Sequence, residues 1–92
     1  MHLSIEQKDL RKLCIYRSLH RGCKELDIIM EGYIKSRLNN FSEGDLLLYS
    51  KLLEMEDSVI YDYILGTTQV PFEHNNEVMQ DFIEFARFFK CV

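Results

Sequence analysis

The side chains able to do covalent or metal chemistry in this 92-residue chain are few and scattered. Histidines stand at positions 2, 20 and 74 and cysteines at 14, 23 and 91. No pair among them has the short spacing of a zinc finger or an H-E-x-x-H helix, where the ligands must converge on one ion. His2 and His74 therefore read as solvated side chains and Cys14 as a small core residue. His20 and Cys23 are the one candidate thiolate–imidazole pair, since a helix N-terminus would lower the thiol pKa. No third group stands by to orient the imidazole, so Cys23 reads as a small, partly buried residue at a helix start. A glycine-rich phosphate loop is absent. Neither a self-contained active site nor a structural metal is expected.

The segment Arg21-Gly22-Cys23-Lys24-Glu25 is the most unusual local feature. Gly22 allows backbone geometry that a Cβ would block. Glu25 falls in the first turn of the next helix, where the helix dipole favours a carboxylate. Arg21 would pair with it if the bend brings the two together. One reading is an ordinary helix–helix corner with a satisfied acid. The other is a small exposed patch of paired charge and little bulk, suited to docking against a partner.

The elements that position this corner follow from helical spacing. About residues 5–20 form a first helix, with Leu10, Leu13 and Cys14 at i, i+3, i+4 and Lys8, Arg11, Lys12 and Arg17 around them. Gly22 interrupts the pattern. Over about 23–38, Leu26, Ile29, Met30, Tyr33, Ile34 and Leu38 trace one stripe. Gly32 inside it costs roughly 1 kcal/mol relative to Ala, which close packing would explain, and Asn39-Asn40 ends the helix. Ser42 with Asp45 resembles a capping box, and Phe41 with Leu46 a hydrophobic staple, at the start of a third helix. Asp57 or Ser58 is expected to cap a short fourth helix that Gly66 closes. After a connection containing Pro71, Asn75 or Asn76 is expected to cap a fifth helix whose stripe is Val78, Met79, Phe82, Ile83, Ala86 and Phe89. Phe85 and Phe88 depart from that stripe; core packing or a frayed tail is expected for them, with contact to a partner or a second copy as the alternative. The expectation is an all-α, compact five-helix bundle forming a single domain over residues 1–92.

Composition narrows the function. The chain is 47% hydrophobic and 28% charged, globular rather than disordered. Its charge is unevenly spread: residues 1–37 hold eight Lys/Arg against five Asp/Glu, and residues 38–92 three against ten. Three cysteines without C-x-x-C spacing fit a reducing compartment. With no signal-like apolar segment and no membrane span, a cytoplasmic protein at full length is the simplest expectation. A basic helix, a glycine turn and a second helix also suggest a nucleic-acid-binding regulator. Against it, Glu25, Asp27 and Glu31 occupy the early turns of the second helix, where a recognition helix would meet phosphates.

The run His20-Arg21-Gly22-Cys23-Lys24-Glu25-Leu26-Asp27 resembles the R-G-x-x-E signature of the succinate dehydrogenase assembly factors, the bacterial flavinators and their mitochondrial counterparts. Tyr16-Arg17-Ser18 precedes it at the matching distance, Leu52-Leu53-Glu54 with Asp57 resembles a second block of that family, and Tyr61-Asp62-Tyr63 sits where it carries aromatics. The resemblance implies a helical assembly factor, not an enzyme. Such a factor binds the flavoprotein subunit of succinate dehydrogenase, with fumarate reductase as a second client, and promotes covalent attachment of FAD to a client histidine. It also implies that FAD belongs to the client, that nucleic acid and membrane are not partners, and that the free factor is monomeric. The compartment would be a bacterial cytoplasm, or the mitochondrial matrix for a processed protein. Arg21, Gly22 and Glu25 match the functional motif; Arg17, His20, Cys23 and Tyr63 are the further residues expected to bind the partner. Departures occur at Leu19 and His20, where the family is often more basic, at Cys23 in place of Met, at Val59 in place of an acid, and at Tyr63 in place of Trp.

Overall fold

The computed structural model describes residues 2–90, and side chains from 9 to 89. His2, Lys8 and Cys91 as side chains lie outside that range. Five α-helices follow one another as α1 (His2–Leu19), α2 (Lys24–Arg37), α3 (Glu43–Leu53), α4 (Asp57–Leu65) and α5 (Glu77–Lys90), with 3-10 turns at Leu38–Asn40 and Phe72–His74. No strand occurs among the described residues.

Local sequence sets most of the boundaries. Ser42 Oγ accepts the Asp45 N–H at 3.1 Å while the Asp45 carboxylate accepts the Ser42 N–H at 3.1 Å, a reciprocal capping box. Gly66 takes φ +80° and its N–H donates to the Asp62 and Tyr63 carbonyls. The Thr67 N–H also reaches Asp62, which makes a Schellman closure of α4. Asn76 caps α5, its Oδ1 accepting the Met79 N–H at 2.9 Å. The start of α4 differs from expectation. Its capping position is Glu56, without a side-chain cap, and Asp57 is already the first helical residue.

The core lies where α1 packs on α2 and α3 and where α5 packs on α2, α3 and α4. Its centre is aromatic: Tyr33, fully buried, has the rings of Tyr49, Phe82 and Phe85 at centroid distances of 5.5, 5.2 and 5.4 Å. The Tyr33 hydroxyl donates to Asp81 Oδ2 at 2.8 Å, and Arg37 grips the same carboxylate through two nitrogens at 2.8 and 3.2 Å. The Arg37 guanidinium lies over the Tyr33 and Phe85 rings, joining α2 to α5 by charge and stacking together. Phe85 is half-buried and packs against the core, as expected. A Cβ at Gly32 would stand 3.4 Å from that ring, an ordinary van der Waals contact. Phe88 is exposed. Leu13 corrects the sequence reading, being 42% exposed, while Cys14 is buried beside Ser18. The Ser18 hydroxyl donates to the Cys14 carbonyl and meets the Tyr49 hydroxyl at 2.7 Å, so the polar atoms are satisfied.

Candidate functional site

The turn between α1 and α2 is where the sequence analysis concentrates its candidates. Gly22 has φ +95°, a region that L side chains rarely adopt. A Cβ there would meet nothing within 4 Å. Backbone conformation, not crowding inside this chain, is what requires glycine. Cys23 follows as the extended residue before α2 and makes no side-chain cap. Its carbonyl accepts the Asp27 N–H at 2.8 Å, and the Asp27 carboxylate reaches back to accept the Arg21 backbone N–H at 2.7 Å. The first turn of α2 thereby ties down the turn that precedes it. Asp27 was not among the candidates, although it stands in the same run.

The bend does not bring Arg21 to Glu25. The Arg21 side chain is 9% exposed and turns to the junction of α3 and α4. There its Nε and Nη2 donate to Asp57 Oδ1 at 2.9 and 2.8 Å. Nη1 donates to the Leu53 carbonyl and Nη2 to the Met55 carbonyl. The Leu53 carbonyl ends α3 and the Met55 carbonyl lies in the turn that follows, where backbone acceptors have run out of helical partners. A planar guanidinium suits such a set of acceptors. Asp57, engaged here, is the residue that the sequence would have used as a cap. Glu25 stays exposed at the start of α2, and its Oε1 accepts the Tyr61 hydroxyl of α4 at 2.8 Å.

Two stretches that are far apart in sequence therefore meet. Arg21 joins Asp57 across 36 residues, and Glu25 joins Tyr61 across the same separation. Gly22 is exposed between them in sequence. His20 flanks the corner: its ring stacks on Tyr16 at 4.2 Å, and its Nδ1 lies 2.8 Å from the Tyr16 carbonyl oxygen. Cys23 packs against the core instead, so the geometry gives no support to a His20–Cys23 catalytic pair. Arg17 is half-buried one turn before the corner. Tyr63 is only 5% exposed and belongs to the core of α4. Its ring has little surface to offer a partner.

Elsewhere the surface has modest relief. Among the described residues no group of three His, Cys, Asp or Glu could hold a metal ion, and no helix is long and apolar enough to cross a membrane. Among the described residues an open groove of about 600 Å³ lies between residues 66–70 and α5, lined in part by Thr67, Gln69, Gln80 and Arg87. Arg87 donates there to the Ile64 and Tyr63 carbonyls, closing the end of α4.

A family model described as the flavinator of succinate dehydrogenase matches residues 12–86. The chain belongs to this family. The match spans the whole corner and α2 to α4, and takes in the end of α1 and most of α5. The chain is similar to succinate dehydrogenase assembly factor 2, mitochondrial, of Dictyostelium discoideum, with 32% identity covering 82% of this chain and 53% of that protein. The corresponding protein of Schizosaccharomyces japonicus is 35% identical, over 86% of this chain and 56% of its own length. The FAD assembly factor SdhE of Acetobacter pasteurianus is 26% identical, over 84% and 71%. The chain thus spans about half the length of these two mitochondrial flavinator-family relatives and more of the bacterial one. No solved structure matches it.

Proposed function

We propose that this chain is an assembly factor that binds the flavoprotein subunit of succinate dehydrogenase and promotes covalent attachment of FAD to one of the client's histidines. The observation that carries the reading is the corner itself: Gly22 and Glu25 of the family's signature stand exposed on a turn locked from beneath by Arg21. The factor is not an enzyme in this reading. FAD and the reacting histidine belong to the client. The bond between them forms when they adopt a near-attack arrangement, and positioning of that kind contributes many kcal/mol. A partner that binds only one arrangement of a mobile client shifts its population towards that arrangement. Gly22 lets the client approach the backbone closely, Glu25 offers it a carboxylate, and His20, Arg17 and Cys23 border the contact.

The fumarate reductase flavoprotein is a second client in the same reading, and the free factor is a monomer in a bacterial cytoplasm or a mitochondrial matrix. The nucleic-acid alternative is disfavoured by Glu25 and Asp27, whose carboxylates occupy the first turns of α2. The test is co-expression of the client with and without this chain, reading flavin fluorescence of the client band after denaturing electrophoresis. Wild-type chain should raise covalent flavin severalfold. Gly22→Leu and Glu25→Ala should abolish the increase while circular dichroism shows that the helices persist. Unchanged client fluorescence in both variants would remove the corner from the mechanism.

A further inference from the structure

The seam between α2 and α5 opens towards the signature corner. Glu25, Ile28, Ile29 and Gly32 follow one another at i, i+3, i+4 and i+7, which puts them on one face of α2. At the far end of that face the Phe89 ring of α5 stacks on Phe85 at 5.8 Å and lies 3.6 Å from where a Gly32 Cβ would stand. Nearer the corner, Glu25, Ile28, Ile29 and Phe89 line a hollow of about 180 Å³. Ile29 is buried, whereas Ile28 and Phe89 leave 50% and 40% of their surface to water. Phe89 repeats with the core stripe of α5, yet the hollow beside it keeps its ring partly wet. The polar border is Glu25, already engaged within this chain, so the lining offers a partner apolar contact.

Size decides what can cover such a hollow. A closed apolar cavity of about 150 Å³ takes up benzene, so the volume here suits one leucine, methionine or phenylalanine side chain. A second copy of the chain is a poor fit. A stable dimer buries about 800 Å² on each partner. A fully buried phenylalanine contributes at most about 250 Å², and Ile28 and Phe89 expose half or less of their own surface. A patch this small is effective as the anchor pocket of a larger interface. The corner supplies one: the face from Glu25 to Gly32 is only about 10 Å long.

We propose that the hollow between Ile28 and Phe89 receives an apolar side chain of the flavoprotein subunit, so that docking combines the Gly22 turn with an anchor on the α2–α5 seam. This rests on the docking reading given above.

The test measures affinity of the purified full chain for the flavoprotein subunit, alongside covalent flavin on co-expression. Wild-type chain that neither binds the subunit nor raises its flavin would overturn the docking reading itself. With that arm positive, Ile28→Gln keeps a helix-forming side chain at a half-exposed position and makes the hollow polar. It should weaken binding about five- to thirtyfold, the range of a truncated anchor, with the thermal midpoint unchanged. Ile28→Trp keeps the patch apolar but fills the hollow, and should weaken binding as well; a merely adhesive surface would instead bind more tightly. Phe72→Gln is the control, since that ring is 95% exposed before the opposite end of α5 and should be indifferent. Wild-type affinity in either Ile28 variant, tighter binding by Ile28→Trp, or an equal loss in Phe72→Gln would overturn the proposal. So would sedimentation that shows a wild-type dimer dissociated by Ile28→Gln, which would give the hollow to a second copy. Were Ile28→Gln to lower the thermal midpoint, Ile28→Trp carries the test on the same terms.

Discussion

A guanidinium has donors and no acceptor, and Arg21 commits its nitrogens to the Asp57 carboxylate and to the carbonyls of Leu53 and Met55. At 9% side-chain exposure it has little left to present outward. Within one five-residue signature, the arginine faces inward while Gly22 and Glu25 face solvent. Arg21→Ala would strand a half-buried Asp57 and two carbonyls between α3 and α4, at Leu53 and Met55, and should cost about 2–4 kcal/mol of stability in urea unfolding. Arg21→Lys should restore only part of that, since an ammonium lacks the planar fork. A variant as stable as wild type but defective with the client would instead make Arg21 a contact residue. Gly22 was legible from sequence because positive φ is a local demand. The partners of Arg21 were not, because Asp57 reaches it only through the packing of α3 and α4 onto the first two helices. Its four-residue separation from Glu25 suggested a pairing that the bend does not make.

At the level of helices, what was legible is what neighbours in sequence decide. The capping box at Ser42, the glycine closure at Gly66 and the cap at Asn76 each lie within a few residues of their partners. Asp57 misled as a cap because a tertiary ion pair outcompetes the local use of its carboxylate. Leu13 misled because periodicity shows that a face exists, not how wide the neighbouring helix makes it. In the α2–α5 seam a Cβ at Gly32 would stand in ordinary contact with the Phe85 ring, so that glycine is tolerated there without being required. That seam also sets a pH response. Asp81 is held below the usual carboxylate range, chiefly by its hydrogen bond from Arg37, against burial and with help from Tyr33. Tyr33 is pushed far above the usual phenol range, by burial first and then by Asp81; burial pushes Tyr49 upward as well. The folded chain thus favours an ionised Asp81 and neutral phenols. Stability from Asp81 is present above the unfolded value near pH 4 and lost as pH falls through its lower folded value. Stability from Tyr33 is complete below about pH 10 and lost as pH rises towards the folded value. Since Asp81 is 37% exposed, its acid limb should be shallow. Urea midpoints should therefore fall more steeply above pH 10 than below pH 4. Tyr33→Phe should flatten the alkaline fall, leaving the part due to Tyr49, and an unaltered alkaline slope would refute this account of the seam.

For the molecule as a whole, the uneven charge and the small size point the same way. The corner lies within the basic 37 residues, and its one outward carboxylate, Glu25, is held locally by Tyr61. The helices fill a body of 43 × 27 × 21 Å around one core. The groove beside α5 is open, and its Arg87 is tied to the carbonyls that end α4. Cofactor sites usually enclose most of their ligand and supply convergent polar groups. FAD adds a pyrophosphate, which calls for a glycine-rich turn or a free helix N-terminus. At the start of α2 such a terminus exists, but Glu25 and Asp27 already occupy it with negative charge. A phosphate there would meet like charge instead of bare N–H groups. The chain should therefore retain no FAD by itself. Equilibrium dialysis of the purified protein against micromolar FAD should leave the flavin evenly distributed, whereas adding the flavoprotein subunit should draw flavin and both proteins into one complex. Stoichiometric retention of FAD by the chain alone would place the cofactor on the factor and require a hand-over mechanism in place of client positioning.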